Sequence, residues 1–291
     1  MCILFLYLND DERQDGYRMI LANNRDEEWD RPTQKLTFWK DNPKCISGLD
    51  LTHGKEGGTW LGASRKGRIG VLLNILGRNE KTEKGRGHLV NGFITSMKNG
   101  EDYIHEMFAL NASQYNSFNL ILLDLSSPKT RGIRCSNKDG EIITDKLSNG
   151  IYTSDNSTFD KPWQKTIRNK GRFQDIVQKY NHRTTKDELI QELLSLLGDR
   201  TQFEDDQQLH MQASISNMDK DVMLERSAAF VWSPKIRCGT RTHSIILVDT
   251  AGHCEFMEKT MTTPVNENNI QWETSSFTFK ICDISETNSH L

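Results

Sequence analysis

The chain opens with an apolar run of strand length, residues 2–8, and a second apolar run at residues 17–22 follows a polar turn. Two such runs joined by a polar turn are typical of a β-hairpin. The second run leads directly into Asn24-Arg25-Asp26-Glu27, so the hairpin would bring the Asp26 carboxylate close to Cys2. The N-terminal sequence therefore predicts a strand that begins at a cysteine, with an acid beside it.

Two interpretations of Cys2 stay open at this point. If Met1 is removed, Cys2 carries both a thiol and an α-amine, and an amine with a pKa of about 7.7 to 8.0 can accept the thiol proton. Cys2 would then be a nucleophile with its own base, and Asp26 would orient it. In the other interpretation, Cys2 is a small hydrophobic residue of a buried strand.

Composition and charge exclude several classes of protein. The chain has 291 residues, of which 35% are hydrophobic, and its formal net charge is −3. No basic face is implied, so we expect no nucleic-acid partner. The longest apolar run, residues 2–8, is too short to span a membrane, and acidic residues follow where a signal peptide would continue. We therefore expect a protein that is not integral to a membrane, with at most transient association with organelle membranes.

The cysteines predict a reducing compartment. They show neither Cys-x-x-Cys pairs nor the spacing of zinc ligands. Their positions are Cys2, Cys45, Cys135, Cys238, Cys254 and Cys282. This scatter indicates free thiols, no metal site and a cytoplasmic location. A mitochondrial address is disfavoured, because the first thirteen residues contain three acids and a single arginine.

Hydrophobic periodicity predicts a single α+β domain over residues 1–282, followed by a disordered tail at 283–291. Hairpins dominate the first third of the chain, and strands return after residue 229. Helices are predicted at 89–98, 102–110, 163–180 and 186–197, where apolar residues recur at helical spacing. Residues 199–219 are polar, and this composition predicts a long loop.

Five segments together resemble one family. A Cys2 start followed by Asn24-Arg25-Asp26-Glu27 is similar to the NRDE family, which is named for that motif. Its best-known members are the transport and Golgi organization protein 2 proteins. Four further segments agree with the resemblance in family order, namely 57–62 (GGTWLG), 85–90 (GRGHLV), 160–165 (DKPWQK) and 239–242 (GTRT).

The resemblance implies a fold and a set of catalytic positions. The family resembles the N-terminal nucleophile hydrolases, in particular choloylglycine hydrolase and penicillin V acylase, which implies a four-layer αββα sandwich. By this resemblance Cys2 and Asp26 match the nucleophile and its aspartate. Asn74 and Asn156 match the amides that stabilise an oxyanion in acyl transfer. Without the family, Asn74 would be read as a strand end and Asn156 as a turn or helix cap.

One departure weakens the hydrolase interpretation. In those acylases an arginine stands three residues before the aspartate, and here that position is Asn23. Arg25 is adjacent to Asp26, and neighbouring side chains of a strand point to opposite faces. We therefore expect Arg25 not to replace the missing arginine.

The family's associations imply three candidate functions. The first is haem trafficking, with haem as released cargo rather than a fixed prosthetic group. The second is hydrolysis of an acyl amide or thioester by an N-terminal cysteine, in vestigial or weak form. The third is binding of acyl-coenzyme A or a lipid. The family is also associated with mitochondria, Golgi organization and lipid metabolism.

The predicted ligand site is a cleft between the sheets that takes a flat or elongated apolar ligand with an anionic end. The residues predicted to bind it are Asn24, Arg25, Glu27, Trp60, Arg86, His88 and Arg241. Trp60 lies among glycines and could stack on a ligand, or it could be a core residue beneath the hairpin. Arginine forks suit haem propionates and coenzyme A phosphates equally well.

Overall fold

A computed structural model describes residues 2–11, 15–77, 85–111, 114–138 and 141–281. Fourteen strands within these ranges form two antiparallel sheets. The strands are β1 (Ile3–Leu8), β2 (Tyr17–Glu28), β3 (Thr33–Phe38), β4 (Cys45–Asp50), β5 (Leu61–Ser64), β6 (Arg68–Asn74), β7 (Phe118–Asp124), β8 (Arg131–Lys138), β9 (Glu141–Leu147), β10 (Gly150–Ser154), β11 (Trp232–Ser233), β12 (Cys238–Asp249), β13 (His253–Met261) and β14 (Trp272–Lys280).

The first sheet has the order β10-β1-β2-β12-β13-β14, with β11 paired to β12, and the second runs β3 to β9 in sequence order. The predicted opening hairpin is confirmed, since β1 pairs antiparallel with β2 and Ile3 lies opposite Asn24. Both faces of β1 carry apolar side chains because both faces of this central strand are covered. Leu4 and Leu6 point to one core, and Ile3 and Phe5 to another.

The α-helices in the described part are α1 (His88–Thr95), α2 (Gly100–Asn111), α3 (Gln164–Tyr180), α4 (Lys186–Leu197), α5 (Gln207–Ile215) and α6 (Lys220–Arg226). Helix α4 forms where the sequence places Leu189, Leu193, Leu196 and Leu197 on one buried face, and it ends at Gly198. This spacing produces an amphipathic helix that must cover an apolar surface.

The layers stack in the order helix, sheet, sheet, helix. The two sheets pack face to face over a core that includes Leu21 and Val71. Helices α3 and α4 cover the outer face of the first sheet, with Phe173 among the residues that pack there. Helix α1 covers the second sheet through residues such as Phe93. The four-layer αββα sandwich that the family resemblance implied is therefore confirmed.

Several local predictions need correction. The predicted loop at 199–219 contains α5, whose first turn is capped by the Asp206 carboxylate accepting from the Leu209 N–H at 3.0 Å. Strands β3 and β4 and helix α6 were not predicted. In β3 only Leu36 is fully buried, so the sequence shows no regular alternation there. The predicted tail at 283–291 lies outside the described residues, as does Cys282.

No helix in the described ranges is both long enough and apolar enough to cross a membrane.

Candidate functional site

A cavity of about 490 Å³ opens where the end of β2 meets the residue before β1, the end of β6 and the segment leading into α1. Charged side chains dominate its wall, and Trp60 and Leu72 are the large apolar ones. A wall of this kind suits the anionic end of the predicted ligand, with Trp60 and Leu72 beside it for the apolar part. The cavity lining consists of Cys2, Arg25, Asp26, Glu27, Arg31, Asp50, Lys55, Gly58, Thr59, Trp60, Leu72, Asn74, Gly85, Arg86, Gly87, His88 and Asn116.

Two glycines shape one wall of this cavity. A Cβ atom added to Gly87 would lie 2.7 Å from the Thr59 backbone nitrogen and 2.9 Å from the Gly58 Cα. Only glycine permits this approach, because real Cβ atoms do not come so close to backbone. The contact brings the two glycine-containing motifs, 57–62 and 85–90, together beside the site.

Cys2 lies at the cavity, and its surroundings mainly favour the neutral thiol. Burial raises the pKa of the Cys2 thiol, and the nearby Asp26 carboxylate raises it further. A hydrogen bond from the Asp26 backbone and the charge of Arg25 act in the opposite direction. Because burial is the largest effect, the thiol is mostly protonated near neutral pH.

Asp26 is buried, with 8% of its surface exposed. Its Oδ1 atom accepts a hydrogen bond from the Thr240 hydroxyl at 2.5 Å, and Thr240 Oγ1 accepts from the Val231 N–H at 2.9 Å. The prediction that Asp26 is buried is confirmed. Its predicted hydrogen bond to the backbone or amine near Cys2 stays a prediction, because the partner seen here for its carboxylate is Thr240. Thr240 is a partner that sequence reasoning did not identify, although it lies in the resembling segment 239–242.

Arg25 also reaches the cavity, so the expectation that it faces away from Cys2 is wrong. The pairing of Ile3 with Asn24 places the next position, Cys2, beside Arg25 rather than beside Asp26. The Arg25 guanidinium carbon lies 3.8 Å from the centroid of the Trp60 ring. Its Nη2 atom is 3.6 Å from the Glu27 carboxylate, and burial lowers the Arg25 pKa.

Trp60 is a core residue as one interpretation predicted, and its stacking on a ligand stays a prediction. It lines the cavity, and it also packs against the core between the sheets. Its ring lies close to Gly48, where an added Cβ would come within 2.8 Å of the indole Cη2. Because the Arg25 guanidinium covers the ring, that face of the indole stacks on a cation rather than on a ligand.

The cations at the cavity differ in their pairing. Arg31 forms an ion pair with Asp50 at 2.5 Å and approaches Glu27 at 3.5 Å. Arg86 donates to the Ser117 carbonyl at 2.8 Å, and no described carboxylate lies within ion-pair distance of it. Burial lowers the Arg86 pKa to about 10, with Glu27 opposing this shift. Arg86 thus remains charged at neutral pH. No carboxylate of the described residues forms an ion pair with it, so its positive charge can act on an anion in the cavity.

The two asparagines predicted to bind an oxyanion are linked, but only one lines the cavity. Asn74 is exposed at the end of β6 and borders the cavity. Asn156 is buried outside the lining, and its Nδ2 donates to the Asn74 backbone carbonyl. Its own carbonyl accepts from the Leu76 N–H at 2.8 Å. The predicted oxyanion role of Asn156 is not supported by this position, because its amide holds Asn74 in place.

Asn24 and Arg241 are likewise outside the lining, so their predicted ligand contacts are wrong. The Asn24 amide donates to the Leu197 and Ala229 carbonyls at 2.8 and 2.9 Å, on the helix side of the first sheet. Arg241 donates to the carbonyls of Glu28 and Arg31 at 3.1 and 2.7 Å. The Asn24 amide nitrogen and the Arg241 Nη1 thus both hold backbone carbonyls, and the Asn24 Oδ1 lies 2.6 Å from the His243 Nδ1. By contrast, Glu27, Arg86 and His88 border the cavity as predicted.

Sequence reasoning missed a buried cation behind the site. Lys165, on α3, is fully buried, and its ammonium donates to the carbonyls of Arg226 and Ala228 at 3.1 and 3.0 Å. Burial lowers the Lys165 pKa, and the charges of Asp26 and Asp155 oppose that shift. The residue ends the resembling segment 160–165, which was its only signal.

In the described ranges, no three or more His, Cys, Asp or Glu side chains come together in a way that could hold a metal ion.

The Cys2 environment predicts slow thiol chemistry. Iodoacetamide reacts with the thiolate, so alkylation of Cys2 should be slow at neutral pH and should accelerate above the ordinary thiol pKa of 9.0. Arg25→Gln should slow it further, since Arg25 favours the thiolate. Peptide mapping by mass spectrometry measures the rate, with Arg65→Gln as the control. Fast alkylation at neutral pH would contradict this description.

Comparison with known proteins agrees with the sequence resemblance. Residues 1–263 match the family described as Transport and Golgi organisation 2. A mouse relative described as a Transport and Golgi organization 2 homolog is 35% identical, covering 97% of this chain and 99% of its own. A human Transport and Golgi organization protein 2 homolog is also 35% identical over 97% of this chain and 99% of its own.

Among solved structures, a conjugated bile acid hydrolase from Clostridium perfringens aligns with a TM-score of 0.43 and 12% identity, covering 97% of this chain and 98% of that one. The sequence matches span nearly the whole chain. On their extent and identity, the chain belongs to the Transport and Golgi organisation 2 family.

Proposed function

We propose that this protein is a haem-trafficking carrier that takes up haem as cargo and releases it. The observation that carries the proposal is Arg86, a half-buried cation at the cavity with no described carboxylate in ion-pair distance. A guanidinium binds a carboxylate through two parallel hydrogen bonds. Arg86 is therefore suited to a haem propionate, with the anionic edge of the ligand in the charged cavity and the ring towards its mouth.

The site also offers side chains that could touch the iron without holding it tightly. Cys2 and the exposed His88 both border the cavity, and thiolate and imidazole are the usual axial ligands of haem iron. The thiol is mostly neutral because burial raises its pKa. Weak axial ligation suits a carrier, because tight ligation would prevent release.

The second candidate is a hydrolase with Cys2 as nucleophile. It is favoured by the grouping of Cys2, Asp26 and Asn74 at one cavity. Against it stand the protonated thiol and the Asn156 amide, which donates to backbone rather than to the cavity. We rank it below the carrier for these two reasons.

The third candidate is binding of acyl-coenzyme A or a lipid. Its phosphates would use the same unpaired Arg86, so the charge pattern alone does not separate it from haem binding. The two ligands are separated by titration.

Haem titration of purified protein tests the proposal. Removing one charge-assisted hydrogen-bond partner costs about 1.5 to 3 kcal/mol, so Arg86→Gln should weaken haem binding by about tenfold or more. Absorbance in the Soret region reports the binding. Arg134→Gln is the matched control, because Arg134 is half-buried on β8, pairs with Asp145 and lies outside the cavity lining.

Each other outcome points elsewhere. If haem binds Arg86→Gln as tightly as the wild type, haem does not bind at this cavity. Binding of acyl-coenzyme A without haem binding would favour the third candidate. Robust hydrolysis of acyl amides that disappears in Cys2→Ala would favour the hydrolase.

A further inference from the structure

The layer between the sheets changes from apolar to polar as it approaches the cavity. Cross-strand partners on β2, β12 and β13 share a face of the first sheet. One row on the inner face is Leu21, Ile246 and Phe256, all in the core between the sheets. The next row is Asn23, Ser244 and Glu258, and the one after it is Arg25, Thr242 and Thr260. The polar rows lead directly to Arg25 at the cavity.

Glu258 is the buried acid in these rows. It is 2% exposed, and its Oε1 accepts from the Ser244 hydroxyl at 3.0 Å. It also accepts a hydrogen bond from the Leu36 backbone on β3, in the facing sheet. The pairing of β3 with β4 is irregular between Gln34 and Thr37, which leaves the Leu36 N–H outside a regular ladder. Glu258 therefore bridges the two sheets.

A buried cation lies on the same inner face as this carboxylate, one row nearer the cavity. Arg25, from β2, is the charged group that acts on it, while β12 contributes only Ser244 and Thr242. Lys35 of β3 and Glu273 of β14 pair with each other at the exposed edge. Burial raises the Glu258 pKa to about 7, with Ser244 and Arg25 opposing that shift.

Among the described residues, Arg25 forms no close ion pair with a single carboxylate. Its nearest acidic oxygen is that of Glu27, at 3.6 Å, and its other polar contact is the Thr33 hydroxyl at 3.3 Å. Arg25 thus lines the cavity and lies in the row next to that of Glu258 on the inner face of the first sheet. When Glu258 is neutral, the positive charge of Arg25 acts on whatever occupies the cavity.

We propose that Glu258 is a proton-controlled counter-ion of Arg25, so that the cavity holds anions more tightly when Glu258 is protonated and less tightly when it ionises. This inference rests on the proposed binding of an anionic ligand at the cavity. It adds a means of release, because a rise in pH through neutrality would lower affinity without any change of fold.

The test uses 8-anilinonaphthalene-1-sulfonate, an apolar fluorescent probe whose sulfonate stays ionised throughout. Its affinity is measured one pH unit below and one above the Glu258 pKa of about 7. Coupling between two sites is typically fivefold or more, so the wild type should bind about fivefold more weakly at the higher pH. Glu258→Gln should bind tightly at both values. Glu255→Gln, on the same strand but outside the cavity, should behave like the wild type.

Arg86→Gln, compared with Glu258→Gln, separates the possible failures. Probe binding that is absent, or insensitive to Arg86→Gln, would contradict the anion site itself and this inference with it. Binding that depends on Arg86 but keeps the wild-type pH slope in Glu258→Gln would overturn the counter-ion role alone. All variants share the other cavity side chains, so the contribution of those side chains to the pH dependence cancels in the comparison.

If Glu258→Gln does not fold, Ser244→Ala gives a second test. It removes a hydrogen bond that favours the ionised carboxylate, so the midpoint of the pH dependence should move upward. A midpoint that does not move would overturn the inference.

Discussion

Lys165→Met is expected to lower the free energy of unfolding by about 3 to 5 kcal/mol, the cost of leaving buried charged and polar partners uncompensated. The ammonium of Lys165 donates to the Arg226 and Ala228 carbonyls, and it is the buried cation that acts on Asp26 and Asp155. Methionine would fill the space but would leave these groups without a donor or a counter-charge.

Urea denaturation followed by circular dichroism measures the effect of Lys165→Met. Lys170→Met is the matched control, since Lys170 lies on the same helix but is exposed. The double variant Lys165→Met/Asp26→Asn should cost less than the sum of the single variants, because the two charges are coupled. A neutral or stabilising Lys165→Met would contradict the counter-charge role.

The second large effect is a change in pH dependence of stability caused by Glu258→Gln. The folded-state pKa of Glu258 is raised from 4.5 to about 7 by burial. A group whose pKa is raised on folding contributes stability below its unfolded pKa, and that contribution is lost as pH rises through the folded value. The loss is about 3 kcal/mol in the wild type, at 1.36 kcal/mol for each pKa unit.

Glutamine remains neutral, so the Glu258→Gln variant should not lose this stability. Relative to the wild type, it should gain about 3 kcal/mol between acidic pH and pH above 7. Urea unfolding at a series of pH values gives the difference between the two proteins, which cancels the other titrating groups. Parallel curves for the two proteins would show that Glu258 ionises freely, and Glu255→Gln serves as the control.

The parts of the fold that could be predicted from sequence are those in which one face is strongly apolar. The opening hairpin and helix α4 follow directly from alternation and from helical spacing. Helix α5 was missed because Leu209 and Ala213 are its only buried apolar residues, which is too weak a stripe to stand out. Strand β3 was missed for the same reason, with a single fully buried side chain.

The site divides along different lines. Cys2, Asp26, Trp60 and Arg86 meet at one cavity as the family resemblance implied, although they come from distant parts of the chain. Lys165 and Glu258 could not be predicted in this way. Charged residues are usually exposed, and the sequence does not show which of them the fold buries. The direction of the Asn24 and Arg241 side chains depends on strand register and on backbone from other elements, which sequence alone does not give.

The segment from Asn24 to Asp26 is held by contacts in three directions, which limits how the protein can move. Asn24 bonds to carbonyls of the helix layer, Arg25 stacks on Trp60 at the edge of the other sheet, and Asp26 bonds to Thr240 on the neighbouring strand. Fraying of this short segment would therefore break contacts in three directions at once, and local opening is rare where buried contacts are dense. The wall of the cavity that the end of β2 forms is therefore expected to be rigid.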